Sequence, residues 1–196
     1  YLTAGDDKDV SVVSAKFLEK IDKNINDLRN KWAFEFDKHS VERVRLESSV
    51  NGTIVCSKAD QLWWLTQPLS DRADTERIKE ILNELKDLKI AKEDFVSDSE
   101  EDIINYGLDK PVFTISIGTT NDVQTIHLGH SLDEKIYAKL DGESSIFFVH
   151  DIMLRDLDLE LNDLRDKQLL RFDAIGTYGI EKIDLKSSDA ALVMEK

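Results

Sequence analysis

Apolar positions along the chain change period several times, and each change marks a predicted element. Val13, Phe17, Ile21, Ile25, Leu28 and Trp32 recur at steps of four and three. All six therefore share one face of a single amphipathic helix, with Lys, Asp and Asn opposite, and that face is expected to pack on the core. The period then drops towards two. Val41, Val44 and Leu46 stand against Glu42, Arg43, Arg45 and Glu47, Asn51-Gly52 is the preferred two-residue hairpin pair, and Thr53 to Ser57 returns. Asn51-Gly52-Thr53 also fits a glycosylation acceptor, but a hairpin explains the same residues through a backbone requirement. Leu62-Trp63-Trp64-Leu65-Thr66 reads as a third strand, closed by Pro68, which cannot donate to a ladder.

Helical spacing returns with Ile78, Ile81, Leu82, Leu85 and Leu88, for which Asp74 is the predicted N-cap and Glu76 suits the dipole of the first turn. A short strand near Phe95 follows, then the acidic run Asp98, Glu100, Glu101, Asp102 and a helical turn stopped by Gly107, with the chain extended into Pro111. Val112 to Gly118, Val123 to Leu128, Lys135 to Leu140 and Ser145 to Val149 alternate, with turns at Asn121-Asp122 and Asp141-Gly142. They predict a four-stranded antiparallel meander. From Asp151 a helix is expected to carry Leu154, Leu157, Leu161 and Leu164 inward.

One stretch occurs twice. Asn26-Asp27-Leu28-Arg29-Asn30-Lys31, Phe36-Asp37 and Val41-Glu42-Arg43-Val44-Arg45-Leu46 are echoed by Asn162-Asp163-Leu164-Arg165-Asp166-Lys167, Phe172-Asp173 and Ile180-Glu181-Lys182-Ile183-Asp184-Leu185. The echo predicts an internal repeat in which Phe36 and Phe172 are equivalent. The expected organisation is an N-terminal helix over 1–35, a main unit over 36–161, and over 162–196 a helix end with strands. Those strands either begin a second, incomplete unit or close the fold by pairing with the first hairpin. The predicted class is α+β: a mostly antiparallel sheet of hairpins with amphipathic helices packed on it.

Charge and chemistry narrow the function without naming it. Among 196 residues, 40 acids against 26 bases leave a net charge of -14, so a nucleic acid or an anionic lipid surface is repelled over most of the chain. Cys56 is the only cysteine, which excludes an internal disulfide and a cysteine metal cluster, and no neighbour supplies the base a nucleophilic thiol needs. His127 and His130 lack a Glu or Cys at ligand spacing and read as strand-end histidines, while His39 and His150 read as joint residues. Asp156-Leu157-Asp158-Leu159-Glu160 lacks the glycine of a calcium loop. No catalytic, cofactor or metal residues are assigned. Trp63 and Trp64 must point to opposite faces of their strand, one into the core and the other a candidate partner-binding surface. The chain starts at Tyr1 rather than Met, so removal of a targeting or anchoring segment is expected.

The order Trp-x-Leu at Trp63 or Trp64, Pro68, Ala73-Asp74 before a leucine helix, Tyr106-Gly107-Leu108-Asp109-x-Pro111, Leu128-Gly129, Tyr137-Ala138 and Leu164-Arg165-Asp166-Lys167 resembles the bacterial family labelled domain of unknown function 4340, over roughly Val41 to Phe172. Its Tyr-Gly-Leu-Asp-x-Pro element is the specific part. A different loop is expected after Gly129, where His130-Ser131-Leu132-Asp133-Glu134 brings no second glycine. The resemblance implies membrane-anchored, extracytoplasmic repeat proteins of the bacterial envelope, often encoded beside gliding-motility-type transporter components, with no established catalytic residues; its motif residues read as structural. The leading expectation is a non-enzymatic scaffold or binding module accessory to an envelope ABC-type transport complex. Its partner would be a protein, and the membrane is reached only through a segment outside this chain. The alternative is an envelope glycan- or peptide-acting enzyme or small-ligand receptor using Asp98, Glu100, Glu101 or Asp109. Self-association is a third expectation.

Overall fold

Alternating residues build one nine-stranded antiparallel sheet in the computed structural model, which describes residues 12–150, 157–168, 182–186 and 191–195. Its strands are β1 (Val41–Ser48), β2 (Gly52–Ala59), β3 (Leu62–Gln67), β4 (Asp71–Arg72), β5 (Phe95–Ser97), β6 (Phe113–Thr119), β7 (Val123–Leu132), β8 (Lys135–Leu140) and β9 (Ile146–His150). Across the sheet they run β4-β3-β2-β1-β6-β7-β8-β9-β5. Two meanders thus join along β1 and β6, in a register that sets Val44 opposite Ile117 and Leu46 opposite Ile115. The fold is broadly α+β with few helices: α1 (Ala15–Ile21), α2 (Ile25–Leu28), α3 (Thr75–Lys86) and α4 (Asp102–Asn105) among the described residues.

One face of the sheet is the core. Val44, Leu46, Trp63, Leu65, Ile115, Ile117, Ile126, Leu128, Ile136 and Ala138 cluster there with Ile78, Ile81, Leu82 and Leu85 of α3. Burying each of the valine, leucine and isoleucine side chains among them stabilises the fold by about 1.5–3 kcal/mol. Helix α3 starts where predicted, because the Asp74 carboxylate accepts the backbone N–H groups of Glu76 at 3.0 Å and Arg77 at 3.2 Å. On the opposite face, Arg45, Ser116, Thr125, Thr114 and His127 occupy alternate, part-buried positions of the central strands, the usual pattern for an antiparallel sheet solvated on one side.

Several expectations are corrected. The six-position N-terminal stripe does not form one core-facing helix. Asn24 Oδ1 accepts the Asp27 N–H at 3.0 Å while Asp27 Oδ2 accepts the Asn24 N–H at 2.9 Å, a capping box that starts a new helix and splits α1 from α2. Ile21, Ile25 and Leu28 remain 53%, 68% and 76% exposed. The segment enters the core one step later, through Ala33 and Phe34, tied by Ala33 N–H to Leu88 O and Ile90 N–H to Lys31 O. The first hairpin turns on three residues, Ser49 to Asn51, and Gly52, at φ +78°, pairs with Ser48. Asn51-Gly52 is thus the exit of a longer loop rather than a two-residue turn. Ahead of the Asp74 cap, Asp71 and Arg72 form the short strand β4, for which the sequence pattern carries no expectation. Strand β7 runs on to Leu132 through an irregularity between Leu128 and Ser131, so no loop follows Gly129. Helix geometry does not continue from Leu157 to Leu164: residues 158–160 are not helical, and a 3-10 turn spans Leu161–Asp163. Residues 151–156 lie outside the described set.

The chain divides into two compact units, Tyr1–Arg165 and Asp166–Lys196. In the second, β10 (Lys182–Lys186) and β11 (Ala191–Glu195) pair antiparallel in a sheet of their own. Among the described residues this sheet is separate from the nine-stranded one, in which β1 bonds β2 and β6 and β2 bonds β3. The echo nevertheless has a physical counterpart. Glu160 and Asp163 form a capping box at the positions matching Asn24 and Asp27, and β10 with β11 repeats the hairpin of β1 with β2. Phe172 lies outside the described residues; Phe36 is half-buried and meets Phe34 edge-to-face at 6.2 Å.

Candidate functional site

The Tyr-Gly-Leu-Asp-x-Pro element is a corner that fastens α4 to β7. Tyr106 N–H donates to Asp102 O at 3.0 Å, Leu108 N–H to Ile103 O at 2.8 Å, and Gly107 takes φ +71°, closing the helical turn. The corner lies directly on Gly129: His130 N–H donates to Tyr106 O at 2.7 Å, and a Cβ built on Gly129 would stand 2.2 Å from that same oxygen. Leu128-Gly129 is the counterpart of Tyr106-Gly107, because only a missing side chain permits the two backbones to approach so closely. Tyr106 stacks on Tyr137 at 4.0 Å, and Tyr137 in turn meets Phe148 at 4.6 Å. Leu108 is buried, Asp109 exposed and Pro111 half-buried. A second clamp joins Ala73-Asp74 to Leu164-Arg165. Asp74 N–H donates to Leu164 O at 2.8 Å, and the Arg165 guanidinium donates twice to Asp71 Oδ2, at 2.9 and 2.6 Å, which holds the Asp71 carboxyl below the usual carboxylate range. Pro68 is exposed in the turn between β3 and β4. In these positions the motif residues brace the frame.

The tryptophans divide as strand alternation requires. Trp63 is 4% exposed on the core side and Trp64 is half-buried on the other. Trp63 and Leu82 floor an open cleft of about 470 Å3 between the 38–39 turn, the β2–β3 turn and the first turns of α3. Its walls carry Lys38, His39, Lys58 and Lys79, and no carboxylate or arginine lines it. Lys38 Nζ donates to Asn83 Oδ1 and Lys79 Nζ is 2.7 Å from Glu76 Oε1. Among the described residues Lys58 has no ion-pair partner, and Thr75 Oγ1, also lining the cleft, is a buried hydroxyl with no hydrogen-bond partner. The rim is strained. Asp60 and Gln61 form the β2–β3 turn at φ +49° and +65°, left-handed values that a two-residue hairpin needs and that glycine or asparagine usually supplies. None of the cleft cations was singled out from sequence. They are scattered from 38 to 79 with no common motif, and only the β2–β3 turn and the α3 cap bring them together.

The acids of the enzyme reading do not converge. Asp98 is bound to Arg29 and accepts from Ser145 at 3.1 Å, and the arginine holds its carboxyl low. Glu100 and Glu101 are exposed before α4. Asp109 stands apart from them, in a cleft of about 450 Å3 with Glu47, Thr114 and His127. Glu47 is committed to Arg45, whose two nitrogens donate to it at 3.0 and 2.8 Å. His127 Nδ1 is 3.3 Å from Thr114 Oγ1, and burial pushes its pKa down. Cys56 is buried and its thiol is pushed up to about 12, far from a thiolate nucleophile. Among the described residues no group of three or more His, Cys, Asp or Glu is placed to hold a metal ion, and no helix is long and apolar enough to cross a membrane.

Compared with known proteins, the chain matches the model of a family described as Domain of unknown function (DUF4340) twice, over residues 1–92 and 63–195. The two matches overlap across 63–92, consistent with an internal repeat. No curated protein and no solved structure matches the chain.

Proposed function

The chain belongs to the DUF4340 family, and from that premise we propose that it is a non-enzymatic binding and scaffold module of the bacterial envelope, acting on the extracytoplasmic side as an accessory to an ABC-type transport complex. The repeated frame supplies the scaffold and the cleft over Trp63 supplies the binding surface. One observation carries the binding reading: a concave site lined by Lys38, Lys58, Lys79 and His39, with no carboxylate in its lining, stands open in a chain of net charge -14. A low-dielectric wall of one sign focuses the field and draws oppositely charged groups to the cleft. The test is cross-linking of the intact protein in envelopes, followed by purification. Transporter components are expected with it, and recovery of no envelope component would remove the reading.

A further inference from the structure

The apolar stripe that α1 and α2 leave outside the core has a counterpart inside it. We propose that Ile21, Ile25 and Leu28 form a latch that docks into the core of a preceding unit of the same fold in the polypeptide, at that unit's counterpart of the β4–α3 corner. The inference stands on the internal repeat, and neither the transport role nor the cleft enters it.

The equivalence of the two segments goes further than their sequences. Helix α1 ends at Ile21, three residues follow, Asn24 and Asp27 make a capping box, and Ile25–Leu28 winds one turn. At the other end, helix geometry ends at Leu157, three residues follow, Glu160 and Asp163 make a capping box, and Leu161–Asp163 winds one turn. Ile21, Ile25 and Leu28 thus answer, at a constant offset, to Leu157, Leu161 and Leu164. Their surroundings are opposite. Leu157 and Leu164 are 0% and 1% exposed within the core cluster and Leu161 packs against it, whereas Ile21, Ile25 and Leu28 are each more than half exposed. The same device is built twice and covered once.

What covers the second segment says what covers the first. Leu164 is held at the β4–α3 corner, where its carbonyl accepts the Asp74 N–H at 2.8 Å and Ala73 bridges Arg165. The 157–165 segment therefore closes the unit before it, and the chain then runs on to the hairpin of β10 and β11. The 15–29 segment runs on to the hairpin of β1 and β2 in the same order, so the unit it closes is the one before α1. Its polar side is already engaged with the unit that follows, since Asp27 pairs with Lys92 at 2.7 Å and Arg29 pairs with Asp98. Two positions differ from the covered segment. Arg165 reaches back to Asp71 whereas Arg29 does not, and Lys23 stands where Leu159 is half-buried, so the three aliphatic side chains carry the docking. A second copy of this chain is a poor occupant, because its own Leu164 fills the corner. An anionic lipid surface is disfavoured by the net charge of -14.

The experiment compares maleimide labelling of single introduced cysteines in the 196-residue chain and in the intact protein purified from envelopes in detergent. Cys56 is buried and gives a slow background in both. Leu28→Cys and Ile25→Cys are expected to react fast in the 196-residue chain and at least about tenfold more slowly in the intact protein, where labelling waits on local opening. Asp22→Cys should react equally fast in both, because its counterpart Asp158 is exposed. Leu28→Asp is expected to leave the Tm of the 196-residue chain within about 2 °C and to lower the first thermal transition of the intact protein by about 5 °C or more. Equal labelling of Leu28→Cys in the two forms overturns the proposal. Protection that fades on dilution assigns the cover to a second copy, and protection of Asp22→Cys along with Leu28→Cys assigns it to detergent or to an unrelated surface; either result overturns the proposal as well.

Discussion

Adding one methyl group at Gly129 should open the corner that fastens α4 to the sheet. A Cβ there lies 2.2 Å from Tyr106 O and 3.1 Å from Gly107 C, both backbone atoms, so no side-chain rotation relieves the clash. The Tyr106-Gly107 turn must move away from β7. That movement strains a packed site by about 1–3 kcal/mol and stretches the 2.7 Å bond from His130 N–H to Tyr106 O, worth about 1 kcal/mol. Gly129→Ala is therefore expected to destabilise the protein by about 2–4 kcal/mol, which in a domain of this size lowers Tm by roughly 5–12 °C. Gly118→Ala is the control. Its Cβ would meet Arg43 Cβ at 3.4 Å, ordinary contact, and the expected change is within about 0.5 kcal/mol. Urea unfolding followed by fluorescence of the three tryptophans reads both variants. Equal midpoints and slopes for Gly129→Ala and the parent would refute the reasoning, because the corner would then yield freely and its motif could not be a rigid brace.

The echo offers a second contrast. Leu164 is 1% exposed and Leu28 is 76% exposed, so Leu164→Ala should cost about 2–5 kcal/mol and Leu28→Ala almost nothing by the same assay. At the cleft, Thr75→Val removes an unpartnered hydroxyl and is expected to raise stability by about 1 kcal/mol, measurable as a higher urea midpoint. Gln61→Gly should relieve the left-handed turn at φ +65° for a net gain of about 0.5–1 kcal/mol, checked as a rise in Tm. His127 has a folded pKa below its unfolded value, with burial the first cause. The unfolded state then binds more protons between the two values, so stability is full above about pH 6.5 and falls as pH drops through that window. The Tm of His127→Gln should lose this part of the pH dependence between pH 7.5 and 5.5.

Much of the frame was legible because it obeys short-range rules. Alternation in Val112 to Val149 foretold β6 to β9, and Asp74 before Ile78, Ile81, Leu82 and Leu85 foretold α3 with its cap. The failures share a cause. Val13 to Trp32 has perfect helical spacing, but periodicity is blind to a capping box, and Asn24 with Asp27 made one that broke the helix and left its stripe outside. Gly129 looked like the start of a loop, because nothing local tells that a turn 22 residues earlier in the chain, at Gly107, will lie upon it. The cleft was least legible of all. Lys38, Lys58, Thr75 and Lys79 are ordinary residues in ordinary places, made into a site only by the sheet order that sets β2, β3 and α3 side by side.

The edges of the nine-stranded sheet have a consequence for any chain that strings such units together. Strands β4 and β5, at its two ends, pair over only two and three residues, whereas tandem neighbours face each other at an effective concentration on the order of millimolar. At that crowding a long bare edge would zip onto the next unit and fuse the array into one continuous sheet. Edges this short present too few hydrogen-bonding groups to start that process.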